Sequence, residues 1–239
     1  MKEKIGIIVG TSLTKDRFFS GLKKRTIKTR FGGSTVFTHQ KFFFIQRHGP
    51  GKNIPPHMIN NKANIGAMKK LGVSRIIGLG SVGSLKKSIS PGSIVIPHDF
   101  INFSGHQTFF NYKVNDLFSA FTLSGFDSGM RDTIISSSGN IKTKNKAVYL
   151  AVKGPRIETF AEVKMFSKFG DIIGMTIANE AILSLEAGIK YAAICTVDNY
   201  GRGVLGKEID FKKLEPVKEK TVETAIKIIN SVIDNPSNR

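Results

Sequence analysis

The chain has 239 residues, 40% of them hydrophobic, which is enough to bury a sizeable core and typical of one α/β domain, taken as 1–239. Its 36 Lys and Arg against 18 Asp and Glu give a formal charge of +18, and it has one cysteine, Cys195, so no internal disulfide can staple it. No apolar run reaches the roughly 18–20 residues that cross a bilayer, and Met1-Lys-Glu-Lys leads into an apolar strand instead of a signal segment, so no membrane role is expected and the expectation is a soluble cytoplasmic protein.

In chain order, Lys4 to Val9 reads as a buried strand, and Val36 to Thr38 with Phe42 to Gln46 as a hairpin pair. Between them lies the densest basic stretch, Lys15 to Lys41. It holds Arg17, Lys23, Lys24, Arg25, Lys28 and Arg30 with Phe18, Phe19 and Phe31 interleaved, a pattern that could stack the bases of a single strand. Lys and Arg are spread over the rest of the chain too. The charge therefore reads as a solvated basic surface that draws in anions, and nucleic acid is kept only as an alternative of another class.

His57 to Leu71 places Ile59, Ala63, Ala67 and Leu71 on one helical face, opened by Pro55-Pro56 and closed by Gly72. Val73 to Leu79 is a further buried strand. Gly78-Leu-Gly-Ser-Val-Gly83 then matches the dinucleotide fingerprint G-x-G-x-x-G, but only Ser84 to Ser90 separate it from Pro91-Gly92 and the next strand. A Rossmann crossover needs a full helix there, so that reading is rejected. Two alternatives stay open: a tight turn between strands, or a turn whose backbone N–H groups face an anion or a sugar.

Phe103 to Lys146 is poorly patterned, with a short helix expected only over Met130 to Ser136. Thr159-Phe-Ala-Glu162 has capping-box spacing and starts a helix running to about Phe169. A second helix ends at Gly188, and the strand Tyr191 to Val197 follows with Cys195 as a small inert core residue. The last helix, Leu214 to Ile233, is amphipathic through Val217, Val222, Ala225, Ile226, Ile229 and Val232.

Thr11 lies just past the first strand and Arg47-His48 at the end of the hairpin, where open α/β sheets leave backbone donors to ligands. Arg47 offers a planar fork, His48 an N–H and Thr11 a hydroxyl with its backbone N–H, a donor set suited to orthophosphate. Each alone is an ordinary surface feature, and His57 reads as structural. Glu158 and Asn199 suit a 6-oxopurine: a carboxylate accepts its N1–H, and a carboxamide can donate to N7 or O6. Read alone, Glu158 is equally a helix N-terminal acid and Asn199 a turn residue before Tyr200-Gly201.

Gly154 to Gly201, carrying Glu158, Met175, Thr176 and Asn199 in that order, resembles the purine nucleoside phosphorylase and methylthioadenosine phosphorylase family, of the nucleoside phosphorylase-I type. The resemblance extends to Gly6-Ile-Ile-Val-Gly-Thr11, to Arg47-His48-Gly49 with Ile54-Pro-Pro-His57-Met-Ile-Asn60, and to Gly83-Ser-Leu before Pro91-Gly-Ser-Ile-Val-Ile-Pro97. It covers Ile5 to Asp234. It implies a single α/β domain with a mixed, partly barrel-like central sheet flanked by helices. It also implies phosphorolysis of a purine nucleoside to free base and ribose 1-phosphate, and a homotrimer or homohexamer.

By the same resemblance, Thr11, Arg47, His48, Ser81 and Thr176 bind phosphate. Val82, Ile157, Glu158, Ile173, Met175 and Asn199 hold base and sugar, with Asn199 and Glu158 the catalytic pair. Orthophosphate is a co-substrate, so no cofactor is expected, and no Cys/His cluster with ligand spacing suggests a metal. Methylthioadenosine phosphorylases place an aspartate at the position of Asn199 and usually lack the glutamate at Glu158, so this chain resembles most the members acting on guanosine and inosine. It departs from the methylthio-accepting members at Pro50-Gly51-Lys52 and has no histidine in Asn111 to Ser128. His106 and the region Lys207 to Asp210 are weak candidates for the 5′ end, so 5′-hydroxyl and 5′-methylthio substrates both stay open.

Overall fold

The computed structural model describes residues 4–10, 21–51, 54–105, 107–110, 125–206, 209 and 215–235. Expectations on Thr11, Lys15, Arg17, Phe18, Phe19 and His106 fall outside these residues, as do those on 111–124, Lys207, Glu208 and Asp210.

The first strand, β1 (Lys4–Val9), matches its expected bounds. Three antiparallel neighbours follow in sequence, β2 (Lys23–Thr29), β3 (Gly32–Thr38) and β4 (Phe42–Gln46). β2 was not expected. Its sequence KKRTIKT has no apolar alternation because it is the sheet's outermost strand and mostly exposed, where charge discourages edge-to-edge pairing.

The helix expected from His57 divides in two. Pro56–Met58 forms a single 3₁₀ turn, and α1 (Asn61–Lys70) starts only where the Asn60 side chain accepts the Ala63 N–H at 2.9 Å. Gly72, with φ +73°, ends it as expected.

β5 (Val73–Ser84) corrects the reading of Gly78 to Gly83 as a turn, since the strand runs straight through these glycines. They are there for close packing: a Cβ at Gly78 would collide with the Tyr191 hydroxyl, and one at Gly80 would meet Ile177 at 3.0 Å. Beyond it lie β6 (Ile94–Val95), β7 (Asp99–Asn102), α2 (Ser128–Ser137), β8 (Thr143–Lys144) and β9 (Val148–Ala151). The capping box opens α3 (Phe160–Phe166), which stops three residues before the expected end. β10 (Ile172–Gly174), α4 (Ile177–Glu186), β11 (Lys190–Tyr200) and α5 (Glu215–Asp234) complete the described elements.

The strands form one mixed sheet in the order β2-β3-β4-β1-β5-β10-β9-β7, with a branch from β5 through β11 and β6 to β8. The mixed sheet flanked by helices is as expected, and it is not closed: among the described residues the two ends of this path do not pair. Period-two alternation divides the core. Ile8, Ile76, Tyr191 and Cys195 face α1 and α4, whereas Ile7, Ile77, Ala192 and Ile194 face α2 and α5. Each large aliphatic chain so buried contributes about 1.5–3 kcal/mol. Among the described residues no helix is long and apolar enough to cross a membrane.

One irregularity positions the site. Along one edge of β5 the parallel ladder to β1 ends at Leu79, and the antiparallel ladder to β10 begins at Gly83. Ser81 and Val82 sit in the gap between them. Such a break in strand order at strand C-terminal ends is where open α/β sheets form ligand crevices.

Candidate active site

A cavity of about 750 Å³ opens at this gap. Arg47, His48, Ser81 and Thr176 line it, reached from β4, β5 and the start of α4. Val82, Ile157, Glu158, Ile173, Met175 and Asn199 line it as well, from β5, the loop before α3, β10 and β11. All the described residues that the sequence nominated thus meet in one cavity. Thr11 lies outside the described residues, but Gly10 before it is part of the wall.

Arg47 is oriented differently from the expectation of a fork turned to phosphate. It is 2% exposed, and the fork grips Glu180 of α4: Nε donates to Oε1 at 2.6 Å and Nη2 to Oε2 at 3.0 Å. Nη2 also donates to the Ile8 carbonyl at 3.2 Å and Nη1 to the Leu79 carbonyl at 2.7 Å. Among the described residues these partners take four of the five guanidinium N–H groups, the fifth being on Nη1. That nitrogen would be 3.0 Å from a Cβ on Gly10, so its edge lies beside the cavity wall. Glu180 holds the guanidinium firmly protonated against the opposing effect of burial.

His48 also departs from the expected donor role. Its Nδ1 lies 2.6 Å from the Ile54 carbonyl, which can only accept, so Nδ1 carries the proton. Burial lowers the ring's pKa and the Arg47 charge lowers it further, against the opposing pull of the Ile54 carbonyl. The neutral ring therefore presents Nε2 to its surroundings as an acceptor.

Glu158 is 7% exposed, and burial raises its carboxyl pKa, with the nearby Glu162 charge adding to the effect and its own backbone N–H opposing it. Asn199 reaches the cavity through a β-bulge. β11 pairs Val197 with Val82 and then Asn199 with Gly83, so Asp198 is the extra residue and both Asp198 and Asn199 line the wall. The Asn199 Nδ2 donates to the Tyr200 carbonyl at 2.8 Å, and among the described residues no other hydrogen bond takes its second N–H or its Oδ1. Thr176 is the N-cap of α4 but makes no side-chain capping bond, the Tyr149 hydroxyl instead accepting the Thr176 and Ile177 N–H groups at 3.3 and 3.4 Å. Met175 packs where Gly154, with φ +68°, has no side chain, since a Cβ there would collide with the Met175 sulfur.

Sequence reasoning missed Asp198 and Lys218, which both line the cavity with Lys218 Nζ 3.9 Å from Asp198 Oδ2. It missed Glu180 as well. A glutamate three residues after Ile177 and three before Leu183, on the apolar face of α4, was the available signal of a buried charge with a partner elsewhere. Cys195 is fully buried as expected, with its thiol pushed up to about 12 by burial.

The chain matches the Phosphorylase superfamily over residues 4–234. It is 34% identical to the "Probable 6-oxopurine nucleoside phosphorylase" of Archaeoglobus fulgidus, covering 96% of this chain and 95% of that one. It is 36% identical to the "Probable S-methyl-5'-thioinosine phosphorylase" of Methanothermobacter thermautotrophicus, covering 96% and 83%. In fold it is similar to the methylthioadenosine phosphorylase of Schistosoma mansoni solved with adenine, with a TM-score of 0.84 and 24% identity over 97% of this chain and 91% of that one. The chain, with its crevice at the break along β5, belongs to the phosphorylase superfamily.

Proposed function

We propose that this phosphorylase cleaves 6-oxopurine nucleosides such as guanosine and inosine with orthophosphate, releasing the free purine and ribose 1-phosphate for purine salvage. The observation that carries this reading is the pairing of Glu158 with Asn199 on the wall that also holds Arg47, His48 and Thr176. Glu158 as carboxylate accepts N1–H of the base. Asn199 gives its remaining N–H to N7 or O6, where negative charge develops as the glycosidic bond breaks. Val82, Ile157 and Ile173 supply apolar contact to the base and Met175 to the ribose.

Phosphate sits against Arg47, His48, Ser81 and Thr176, with Thr11 as a further contact. Because His48 offers an acceptor at Nε2, monohydrogen phosphate can donate its one O–H there while its other oxygens take the Arg47 Nη1–H and the Thr176 hydroxyl. Held beneath C1′, the anion faces the positive charge that builds on the sugar as the purine departs. No metal or organic cofactor enters the scheme. By the family resemblance the working unit is a homotrimer or homohexamer.

A second reading, phosphorolysis of 5′-methylthioinosine, is supported by relatives that carry that name at 35–37% identity. It uses the same base contacts and differs only at the 5′ end. The test is base release from guanosine, inosine, adenosine, 5′-methylthioinosine and 5′-methylthioadenosine, each with and without phosphate. Higher kcat/KM for inosine than for 5′-methylthioinosine supports the first reading, the reverse order the second. Preference for either adenosine would remove Glu158 and Asn199 from the base contacts. No release from any substrate would sink the enzymatic reading and make salt-dependent oligonucleotide binding the next measurement.

A further inference from the structure

Behind the cavity wall lie two buried polar groups that the reaction scheme leaves unused, Glu180 and Tyr191, bonded to Arg47 or to each other. Glu180 is 0% exposed and Arg47 nearly so. The Tyr191 hydroxyl donates to Glu180 Oε2 at 2.8 Å, the oxygen that also receives Arg47 Nη2. Tyr191 is itself fully buried, its ring stacked on Phe126 at 6.3 Å. Its hydroxyl fits only because residue 78 is glycine, and the guanidinium is accommodated against Gly10. Three elements far apart in sequence, β4, α4 and β11, therefore converge on one hydrogen-bonded triad.

We propose that Glu180 and Tyr191 are positioning residues for phosphate binding, Tyr191 fixing the carboxylate of Glu180 and Glu180 fixing the guanidinium of Arg47 so that its fifth N–H, on Nη1, faces the anion. The inference rests on the reading that phosphate binds at Arg47. Four of the five guanidinium donors are spent on Glu180, Ile8 and Leu79, so the group has no freedom to turn its fork to a ligand. Its positive charge is also balanced before any anion arrives. Arg47 then contributes direction more than net attraction, and direction depends on the carboxylate that holds it. A buried ion pair is on average a poor source of stability, which makes a geometric role the more economical account of this one.

The test uses the full chain and steady-state phosphorolysis of inosine, with phosphate and nucleoside varied separately. Tyr191→Phe keeps the ring and removes only the hydroxyl. It is expected to raise the phosphate KM about three- to tenfold and leave the inosine KM within about twofold. Glu180→Gln keeps the shape but sets an amide N–H against the guanidinium, and the phosphate KM should rise further. Phosphate KM values unchanged in folded variants, or both KM values rising together, would overturn the proposal, since a purely structural triad moves them without preference. If Glu180→Gln does not fold, Tyr191→Phe decides alone. Calorimetric titration of wild type with inorganic phosphate separates the two levels of the argument. A wild type that neither binds phosphate nor releases base overturns the functional reading and this inference with it. A wild type that turns over beside variants with unmoved phosphate KM overturns the inference only.

Discussion

On the proposed phosphate end of the cavity wall Arg47 is nearly inaccessible and held by Glu180, Ile8 and Leu79, whereas on the proposed base end Glu158 and Asn199 sit on a loop and a bulge. The first arrangement is held by four hydrogen bonds and an opposite charge, so the proposed anion would find it already oriented. The second depends on the ionisation of one carboxyl group and the orientation of one amide. An anion of fixed shape suits the first, and choice among purines that differ by a donor or an acceptor suits the second. Substitutions at the two ends should therefore fail in different ways.

The largest effect is expected from Arg47→Ala. Removing the guanidinium strands Glu180 as a buried charge, and breaking such a pair typically costs about 3–5 kcal/mol, so the variant should lose both phosphate dependence and a large part of its stability. Chemical denaturation measures the second loss. The double variant Arg47→Met with Glu180→Leu separates the two, because it removes both charges together. It should recover most of the stability while phosphorolysis stays abolished. Recovery of activity along with stability would show that Arg47 has no role beyond the fold.

Next in size is Glu158→Gln, which should lower kcat/KM for inosine about 10²- to 10³-fold with little change in stability, since a site built to accept N1–H then presents a donor to it. The pH dependence follows from the same carboxyl. Burial raises the folded pKa of Glu158 above its unfolded value, so its contribution to stability is fully present below the ordinary carboxylate pKa and is lost as pH rises through the folded value. On the proposed role of Glu158 catalysis runs the opposite way, because the ionised form would be the acceptor. Inosine kcat/KM should rise with pH along an acid limb whose midpoint lies above the usual carboxylate range. That limb should vanish in Glu158→Gln. Glu162, four residues on, supplies the contrast: hydrogen bonds from Arg156 and the Thr159 N–H hold it at about 2, so its contribution is present above the ordinary carboxylate pKa and is lost progressively as pH falls from there through about 2.

A smaller effect is expected of Asn199→Asp. The carboxylate accepts from the 6-amino group or a protonated N7 but cannot donate to O6, so the ratio of kcat/KM for adenosine over inosine should rise by roughly tenfold. The Tyr200 carbonyl, which now receives the Asn199 amide at 2.8 Å, would lose its donor, so overall activity should fall as well. An unchanged ratio would take Asn199 out of base recognition.

The two ends also differ in how far they could be read from the sequence. The base end follows from local signals, since the Thr159 capping box fixes where α3 begins and so where Glu158 stands before it. At the anion end Arg47 was recognisable by its place after a strand, but its orientation was not, because Glu180 lies 133 residues away. Gly78 to Gly83 misled for the same reason: glycines signal turns locally, whereas here they make room for Tyr191 and Ile177 from β11 and α4. β2 was hidden by its own charges. Strict alternation would put Asp198 and Asn199 on opposite faces of β11, and only the bulge brings both to the cavity.

Asp198 is thus the residue where the comparison is least settled by chemistry alone, and the smallest effect is expected there. Its carboxylate accepts the Thr196 hydroxyl at 3.3 Å and lies 3.9 Å from Lys218, whose side chain remains 27% exposed. A pair this long contributes about 1 kcal/mol or less, so the loss of this contact in Asp198→Asn should change stability little. It would remove a negative charge 3.9 Å from Lys218, and a cation there favours an anionic ligand over a neutral one. The phosphate KM should accordingly fall about two- to threefold while the inosine KM stays put, and added salt should erase the gain. A hundredfold loss of inosine kcat/KM instead would mean that Asp198 contacts the nucleoside directly. The base end would then have two carboxylates, and purine choice would depend on the bulge that aims the second as much as on Glu158.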